Sequence, residues 1–471
     1  MLRLHDTMTR RLMPVEPLEA GHVRMYTCGP TVWNRAHIGN FRAFVFEDVL
    51  RRVLEQRFGR VTHVMNLTDV DDRIVKNAMT HGHTLEEETA PWIVAFFADV
   101  DALGIRRAHH YPRATDYIEE MVSLVERLDA REVTYRSDGS VYYRIAAFPR
   151  YGQLSGVRAV ALVAGASGRI DADDYTKEDA RDFALWKAAG QGEPGWETRL
   201  GWGRPGWHLE CSAMNLALLG ETIDIHCGGV DLVFPHHENE IAQSEAATGK
   251  KFVRLWCHNA FLQIDEAKMS KRLGNFLTLG DIVDGEEGRR PSTVRYLLAA
   301  TAQYRKTLNY SDESLEAAKG AVDRLILFRD RLDATAPSRR DGDAVKLAAR
   351  IRADFDACLD DDLNLPEGMG HVFTMVRDAN RLLDEGRVDG PGLDALRQLV
   401  EHVDDVLGVL PLVDVERAAT LSPEDRRMLS ERAEARARKD WATSDQIRTA
   451  LARRGILVED TAGGQRWRPA G

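Results

Sequence analysis

VRMYTCGPTVWNRAHIGN, residues 23–40, is the stretch whose reading decides the fold. VRMYTC (23–28) reads as a buried strand, and Gly29-Pro30 breaks it into a loop. From Phe41 to Phe58 the apolar residues Phe41, Phe44, Val45, Val49, Val53 and Leu54 recur at helical spacing. VTHVMNL (61–67) then reads as a second strand, followed by the acidic corner Thr68-Asp69-Val70-Asp71-Asp72. Strand, loop, helix and strand in that order predict a βαβ unit in a parallel sheet, and so an α/β fold of Rossmann type.

Outward from this unit the pattern changes twice. Residues 113–205 are less regular and hold a Gly/Ala-rich stretch, VAGASGRIDADD (163–174), that reads as a loop. The sheet pattern resumes near Gly206, with TIDIHC (222–227) as a strand and a helix expected to start at Pro235. After Pro291 the sequence turns all-helical, at 292–304, 313–332, 344–358 and 369–385, with a surface loop at 335–343. A further boundary falls near 412–423, before a short basic end.

A chain of 471 residues is too long for one core, and about three domains are expected. No run of about 18 apolar residues and no leading basic-then-apolar segment occurs, so neither a membrane span nor a signal peptide is expected. Five scattered cysteines argue against a disulfide framework and for a reducing cytoplasm. The net charge of −11 argues against a nucleic-acid partner, yet residues 426–471 carry eleven Lys/Arg against six Asp/Glu. A basic end on an acidic body fits a protein that touches RNA with one part; it fits a solvated helix face equally well.

Two groups of residues carry chemistry. Cys28, Cys211, His236 and Glu240 offer two thiols, an imidazole and a carboxylate, with His236 and Glu240 four apart on one helix face. They come from three distant segments, so spacing alone leaves zinc ligands and ordinary small core cysteines both open. Lys268-Met269-Ser270-Lys271, followed by Arg272 and Gly274, places cations in a loop able to close over a polyphosphate. His37, at the start of the helix after the first strand, adds a donor where the helix dipole favours an anion; a surface Lys loop and a helix-capping His are the alternatives.

HIG at 37–39 with KMSK at 268–271 is the signature pair of the class I aminoacyl-tRNA synthetases, and the whole chain resembles the cysteinyl-tRNA synthetase family within that class. MYTCGPTVWNRAHIGN, NLTDVDD, RPGWHLECSAMN, DIHCGGVDLVFPHHENEIAQSEA, KMSKRLGNF, LNYSDE and DDDLNLPEG carry the resemblance, together with RKDWATSDQIRTALARRGILVEDTAGGQRWR at the end. It implies one zinc ion per chain held by Cys28, Cys211, His236 and Glu240, with the metal gripping the substrate thiol. It implies L-cysteine, ATP accompanied by Mg2+, and tRNA-Cys as partners, and cysteinyl-adenylate with pyrophosphate as the products of the first step. His37, Asn40, Lys268 and Lys271 are then the catalytic contacts to the phosphates. Gly229 and Asp231 would hold the rest of ATP, and Gly29, Thr31, Thr68, Trp207 and His208 would line the amino-acid pocket. Ordinary core packing is the alternative for Trp207.

The same resemblance divides the chain into a first catalytic half (1–112), a connective insertion (113–205), a second half with the KMSK region (206–310), a helical bundle that carries the tRNA stem (311–412) and an anticodon-binding domain (420–471). Arg436, Trp441, Asp445, Asp460 and Trp467 are its expected readers of a GCA anticodon, through guanine pairing, cytosine amino contacts and stacking. The alternative there is a solvated helix face with two packed tryptophans. A cytoplasmic monomer without membrane contact is expected. The second histidine of the family's HIGH motif is Asn40 here, and Arg272 replaces the usual serine after KMSK. Asn can donate to a phosphate oxygen but can never be cationic. Two other readings are a ligase of the mycothiol-pathway kind, which sends the cysteinyl group to an amino-sugar, and a non-catalytic RNA-binding relative.

Overall fold

The computed structural model describes residues 1–157, 179, 181–268, 276–283, 289–340, 343–419, 421–461 and 464–469. Two compact units emerge, Met1–Glu286 with Leu298–Ser311 and Ala357–Pro366, and Glu287–Leu297 with Asp312–Asp356 and Glu367–Gly471. The expected loop at 163–174 and Lys271 lie outside the described residues, as does the side chain of Lys268.

The first unit is built on a parallel four-stranded sheet in the order Val253–Asn259, Ile223–Gly229, His22–Thr27, Arg60–Met65. The helix Ile38–Phe58 links the two strands of one βαβ unit, and Glu238–Thr248 links those of the other. The crossovers leave in opposite directions from the central pair, where Thr27 and Cys227 are neighbours. That is a topological switch point, and a cleft opens beyond the carboxyl ends of its strands. Cys28 sits at this edge; its N–H still donates to the Cys227 carbonyl, 3.3 Å away.

Between the two halves lies more order than the sequence suggests. The strands Thr134–Ser137, Ser140–Tyr143, Phe183–Ala188 and Gly203–Pro205 form an antiparallel sheet in that order. The three carboxylates of the acidic corner are spent on structure here. Asp69 accepts from the Thr115 amide and hydroxyl at 3.0 and 2.7 Å, and Asp71 caps the helix Asp72–His81. Asp72 pairs with Lys187 and Arg204 at 2.8 and 3.0 Å.

Two expected boundaries shift. Val233–His237 is a wide turn with Phe234 extended (φ −141°, ψ 132°), and the helix proper begins at Glu238 instead of Pro235. The residue before a proline is pushed out of the α region, so the helix cannot extend back through it. The helix expected over 292–304 runs Pro291–Ala300, and Leu308–Tyr310 is a strand paired with Leu262–Ile264.

The second unit is largely helical, with Asp312–Ala334, Gly390–Leu407 and Leu410–Ala419 among its helices. At its end the helices Pro423–Ala437 and Trp441–Arg453 and the hairpin Ile456–Thr461/Gly464–Pro469 enclose a small core of Leu421, Leu429, Leu451, Ile456 and Val458. Among the described residues no helix is long and apolar enough to cross a membrane.

Candidate active site

The cleft at the switch point has a volume of about 560 Å3. Cys28, Gly29, Thr31, His37, Asn40, Trp207, Gly229, Asp231 and His236 line it, so nine of the residues singled out in the sequence share one wall system. Gly29 has no room for a side chain, because a Cβ would stand 1.8 Å from the Asn66 carbonyl oxygen. Its N–H donates to Asn66 Oδ1 at 3.0 Å, and Asn66 Nδ2 donates to Thr68 Oγ1 at 3.1 Å. Thr68 in turn donates to Glu210 Oε2 at 3.0 Å. Thr68 is thus buried in the support of the Cys28–Gly29 corner and does not itself line the cleft.

At the floor, Cys28, Cys211, His236 and Glu240 are all buried, and their donor atoms lie within 4.8 Å of one another. His236 Nε2 is 3.1 Å from Glu240 Oε1, and Cys28 Sγ is 4.0 Å from the same oxygen. A hydrogen bond from Cys28 lowers the Cys211 thiol to about 6, with burial working against it. Burial raises the Cys28 thiol, and its bond to Cys211 raises it further. Burial also opposes charge on His236, yet the Cys211 thiolate and the Glu240 carboxylate hold it up at about 10. Glu240, despite its burial, is held at about 2 by His226 and His236.

An outer ring of histidines fixes these groups. His208 Nδ1 lies 2.9 Å from His236 Nδ1, and His226 Nε2 lies 3.0 Å from Glu240 Oε2. His237 Nε2 is 3.3 Å from Cys28 Sγ, and its Nδ1 is 2.8 Å from His258 Nε2. His258 continues to Thr7 Oγ1 at 2.7 Å. His208 therefore stands behind His236 and not in the cleft wall. Trp207 stacks on the His236 ring, with centroids 4.4 Å apart, while remaining 36% exposed at the cleft wall, so it is not packed in the core.

Across the cleft, His37 caps the helix Ile38–Phe58 in a reciprocal arrangement with Asn40. Asn40 N donates to His37 Nδ1 at 3.2 Å, and His37 N donates to Asn40 Oδ1 at 3.1 Å. Because Nδ1 accepts, the neutral His37 ring carries its proton on Nε2. The chain just past the KMSK region returns to this point: Thr278 bridges His37, and Ile38 N donates to the Leu277 carbonyl at 2.9 Å.

In the end domain three of the five expected readers meet. Arg436 Nη1 is 2.7 Å from Asp460 Oδ2, and its guanidinium lies over the exposed Trp441 ring, 5.4 Å from the centroid. Asp445 pairs with Arg448 at 3.1 Å, and Trp467 packs against the small core. Buried Arg432 also holds Asp460, at 2.9 Å.

Residues 14–320 match the family model described as tRNA synthetases class I (C) catalytic domain, and 354–411 match the DALR domain. Residues 418–468 match the cysteinyl-tRNA ligase anticodon binding domain. The chain is 46% identical over 470 residues to the cysteine–tRNA ligase of Solibacter usitatus (strain Ellin6076), covering 99% of each. The chain belongs to the cysteine–tRNA ligase family. It is an aminoacyl-tRNA ligase of class I.

A second member, from Protochlamydia amoebophila (strain UWE25), is 45% identical over 99% of this chain and 97% of its own. Among solved structures, Mycobacterium tuberculosis methionyl-tRNA synthetase in complex with methionyl-adenylate shares the fold at a TM-score of 0.60 and 14% identity, over 86% of this chain and 95% of that one. A second structure of that enzyme with the same adenylate gives 0.61 at 14% identity, with the same coverage. Sequence reading missed the outer ring of His226, His237 and His258, and Glu210 beneath Thr68. For His226 and His258 the signal was present: histidines in the apolar strands IDIHCGG and VRLWCHN have no reason to be buried unless something polar meets them.

Proposed function

We propose that this chain activates L-cysteine with ATP and transfers the cysteinyl group to the 3′ end of tRNA-Cys, with a zinc ion selecting the thiol. The observation that carries the reading is the convergence of Cys28, Cys211, His236 and Glu240 on the floor of the cleft that His37 and Asn40 enter from the other side.

The donor set fits zinc: two sulfurs, an imidazole and a carboxylate, all buried and with donor atoms within 4.8 Å of one another. His236 presents Nε2 to the cluster while His208 holds its Nδ1, the outer-partner pattern that fixes a ligating imidazole. When bound, zinc supplies a soft Lewis acid to which cysteine's thiolate binds better than serine's hydroxyl. The family's selection of cysteine then needs no editing site, because serine leaves that position badly filled.

The remaining residues position and neutralise. Trp207 closes over the amino acid from its stack on His236, and Gly29 and Thr31 shape the wall beside Cys28. Cysteine's carboxylate oxygen attacks the α-phosphorus, the bond from that phosphorus to the bridging oxygen breaks, and pyrophosphate leaves with its Mg2+. His37 Nε2–H and the Asn40 amide donate to the phosphates at the helix N-terminus, where the dipole favours an anion. Lys271, supported by Lys268, clamps the leaving group, and Asp231 beside Gly229 accepts from the ribose hydroxyls. The terminal ribose hydroxyl of tRNA then attacks the activated carbonyl and releases AMP. Residues 311–412 carry the tRNA stem, and 420–471 read the anticodon through Arg436, Trp441 and Asp460.

An amino-sugar acceptor is disfavoured by the match of 418–468 to an anticodon-binding domain. The test is cysteine-dependent pyrophosphate exchange into ATP followed by charging of tRNA. Exchange with cysteine but not serine, and charging of a tRNA bearing GCA, are expected. Equal exchange with both amino acids, or no charging of that tRNA, refutes the reading.

A further inference from the structure

The helix Asp72–His81 ends at Gly82, whose φ of +69° turns the chain in the left-handed region, and His83 follows before Thr84 caps the helix Leu85–Ala102. Both sides of this corner are tied down. His83 N donates to the Ala78 carbonyl at 2.9 Å, and Thr84 and Glu87 cap one another reciprocally. Glu88, in the first turn of the second helix, comes up beneath the two histidines. His81 Nδ1 is 2.9 Å and His83 Nδ1 3.1 Å from the same oxygen, Glu88 Oε2.

We infer that His81, His83 and Glu88 form a second metal site, open to solvent, for a first-row divalent transition cation. The three donor atoms lie within 4.8 Å of one another and come from one rigid corner remote in sequence from every residue of the cysteine cluster. Metal–nitrogen and metal–oxygen bonds of about 2.1 Å place cis donors about 3 Å apart, which is the nitrogen–oxygen separation found here. A cation takes the place of these two hydrogen bonds, with the rings turning to aim both nitrogens at it.

Two imidazoles and one carboxylate suit zinc, nickel, cobalt, copper or iron(II); calcium and magnesium prefer oxygen alone. The histidine side chains are 51% and 47% exposed while Glu88 is 7% exposed. Three ligands on one side leave the outward positions to water, so this cation exchanges readily, unlike one enclosed by Cys28, Cys211, His236 and Glu240. His83 also lines a cleft of about 950 Å3 together with Thr84, Leu85 and Glu86, separate from the catalytic cleft, which gives a cation a path to the site.

The test is isothermal titration of the full-length, zinc-loaded protein with Ni2+ alone. One further equivalent of Ni2+ is expected, with affinity reduced at least about 10-fold in His83→Ala and abolished in the His81→Ala/His83→Ala double variant. Cys28→Ser is expected to retain that equivalent, and His83→Ala to retain wild-type pyrophosphate exchange. Both histidines are exposed enough for their variants to fold, and circular dichroism checks this. No equivalent beyond the cysteine cluster, or binding undiminished in the folded double variant, overturns the proposal and leaves the trio as a hydrogen-bonded pair of histidines only.

Discussion

The cysteine cluster and the end domain are built in opposite ways. Cys28, Cys211, His236 and Glu240 are buried, and each is held by at least one other polar side chain. Arg436, Asp460 and Trp441 sit on a surface, with Trp441 55% exposed and the ion pair about one-third exposed. Buried polar networks are rigid and intolerant of a missing member, while exposed pairs are worth about 1 kcal/mol or less and rearrange at little cost. The difference suits the two proposed tasks. The proposed selection of a thiol over a hydroxyl calls for a fixed set of donors, whereas the proposed reading of a tRNA uses the part-exposed Arg436 and the exposed Trp441, with Asp460 anchored by buried Arg432.

That contrast can be broken most sharply at Cys28. Cys28→Ser is expected to lower cysteine-dependent exchange by about 1,000-fold or more, with ATP binding retained; equal loss of both would reduce the metal to a structural role. Glu240→Gln removes one partner of a buried network and should destabilise the metal-stripped protein by about 3 kcal/mol in urea unfolding. A loss below about 1 kcal/mol would show that the network is looser than its geometry.

The acid limb of stability sharpens the same point. Burial, with Arg51 and His109 nearby, lowers His63 from 6.5 to about 3. Its folded-state pKa lies below the unfolded one, so its contribution is full above pH 6.5 and declines as pH falls towards 3. The slope reaches at most about 1.4 kcal/mol per pH unit. His63→Gln should flatten that limb, and an unchanged limb would remove His63 from the account.

At the exposed end, Arg436→Ala should raise the KM for tRNA about 10-fold and leave pyrophosphate exchange untouched. Equal damage to both would mean that this residue supports the fold. The smallest effect is expected at Asn40. Asn40→Ala removes half of a reciprocal cap, costing about 1 kcal/mol of stability together with a loss confined to adenylation. Asn40→His is expected to preserve activity, so a loss in that variant would contradict a simple phosphate contact.

The strand 22–27, the helix 38–58 and the strand 60–65 were legible because their apolar spacing is local. The antiparallel sheet of the insertion was not, because Thr134–Ser137 and Ser140–Tyr143 are short and Gly203–Pro205 contains a proline at its end. In the site, the identity of the cysteine cluster came from family motifs. Its spacing could not show it, because the convergence of Cys28 with Cys211 and His236 is a product of the switch point. Asn40 shows a finer limit. Read as a phosphate donor, it also spends its carbonyl oxygen on His37, and only the folded helix end reveals that second task. The acidic corner 69–72 is held by Thr115, a helix end, Lys187 and Arg204, partners too distant in sequence to be read from it.

The most direct test of the central claim is absorption of the cobalt(II)-substituted protein in the thiolate charge-transfer region during titration with amino acids. This absorption is expected to rise and saturate with cysteine, to stay flat with serine, and to be weaker before any addition in Cys211→Ser protein, which keeps only the Cys28 thiol. An absorption unchanged at saturating cysteine would contradict it, by showing that the substrate thiol is recognised away from the metal.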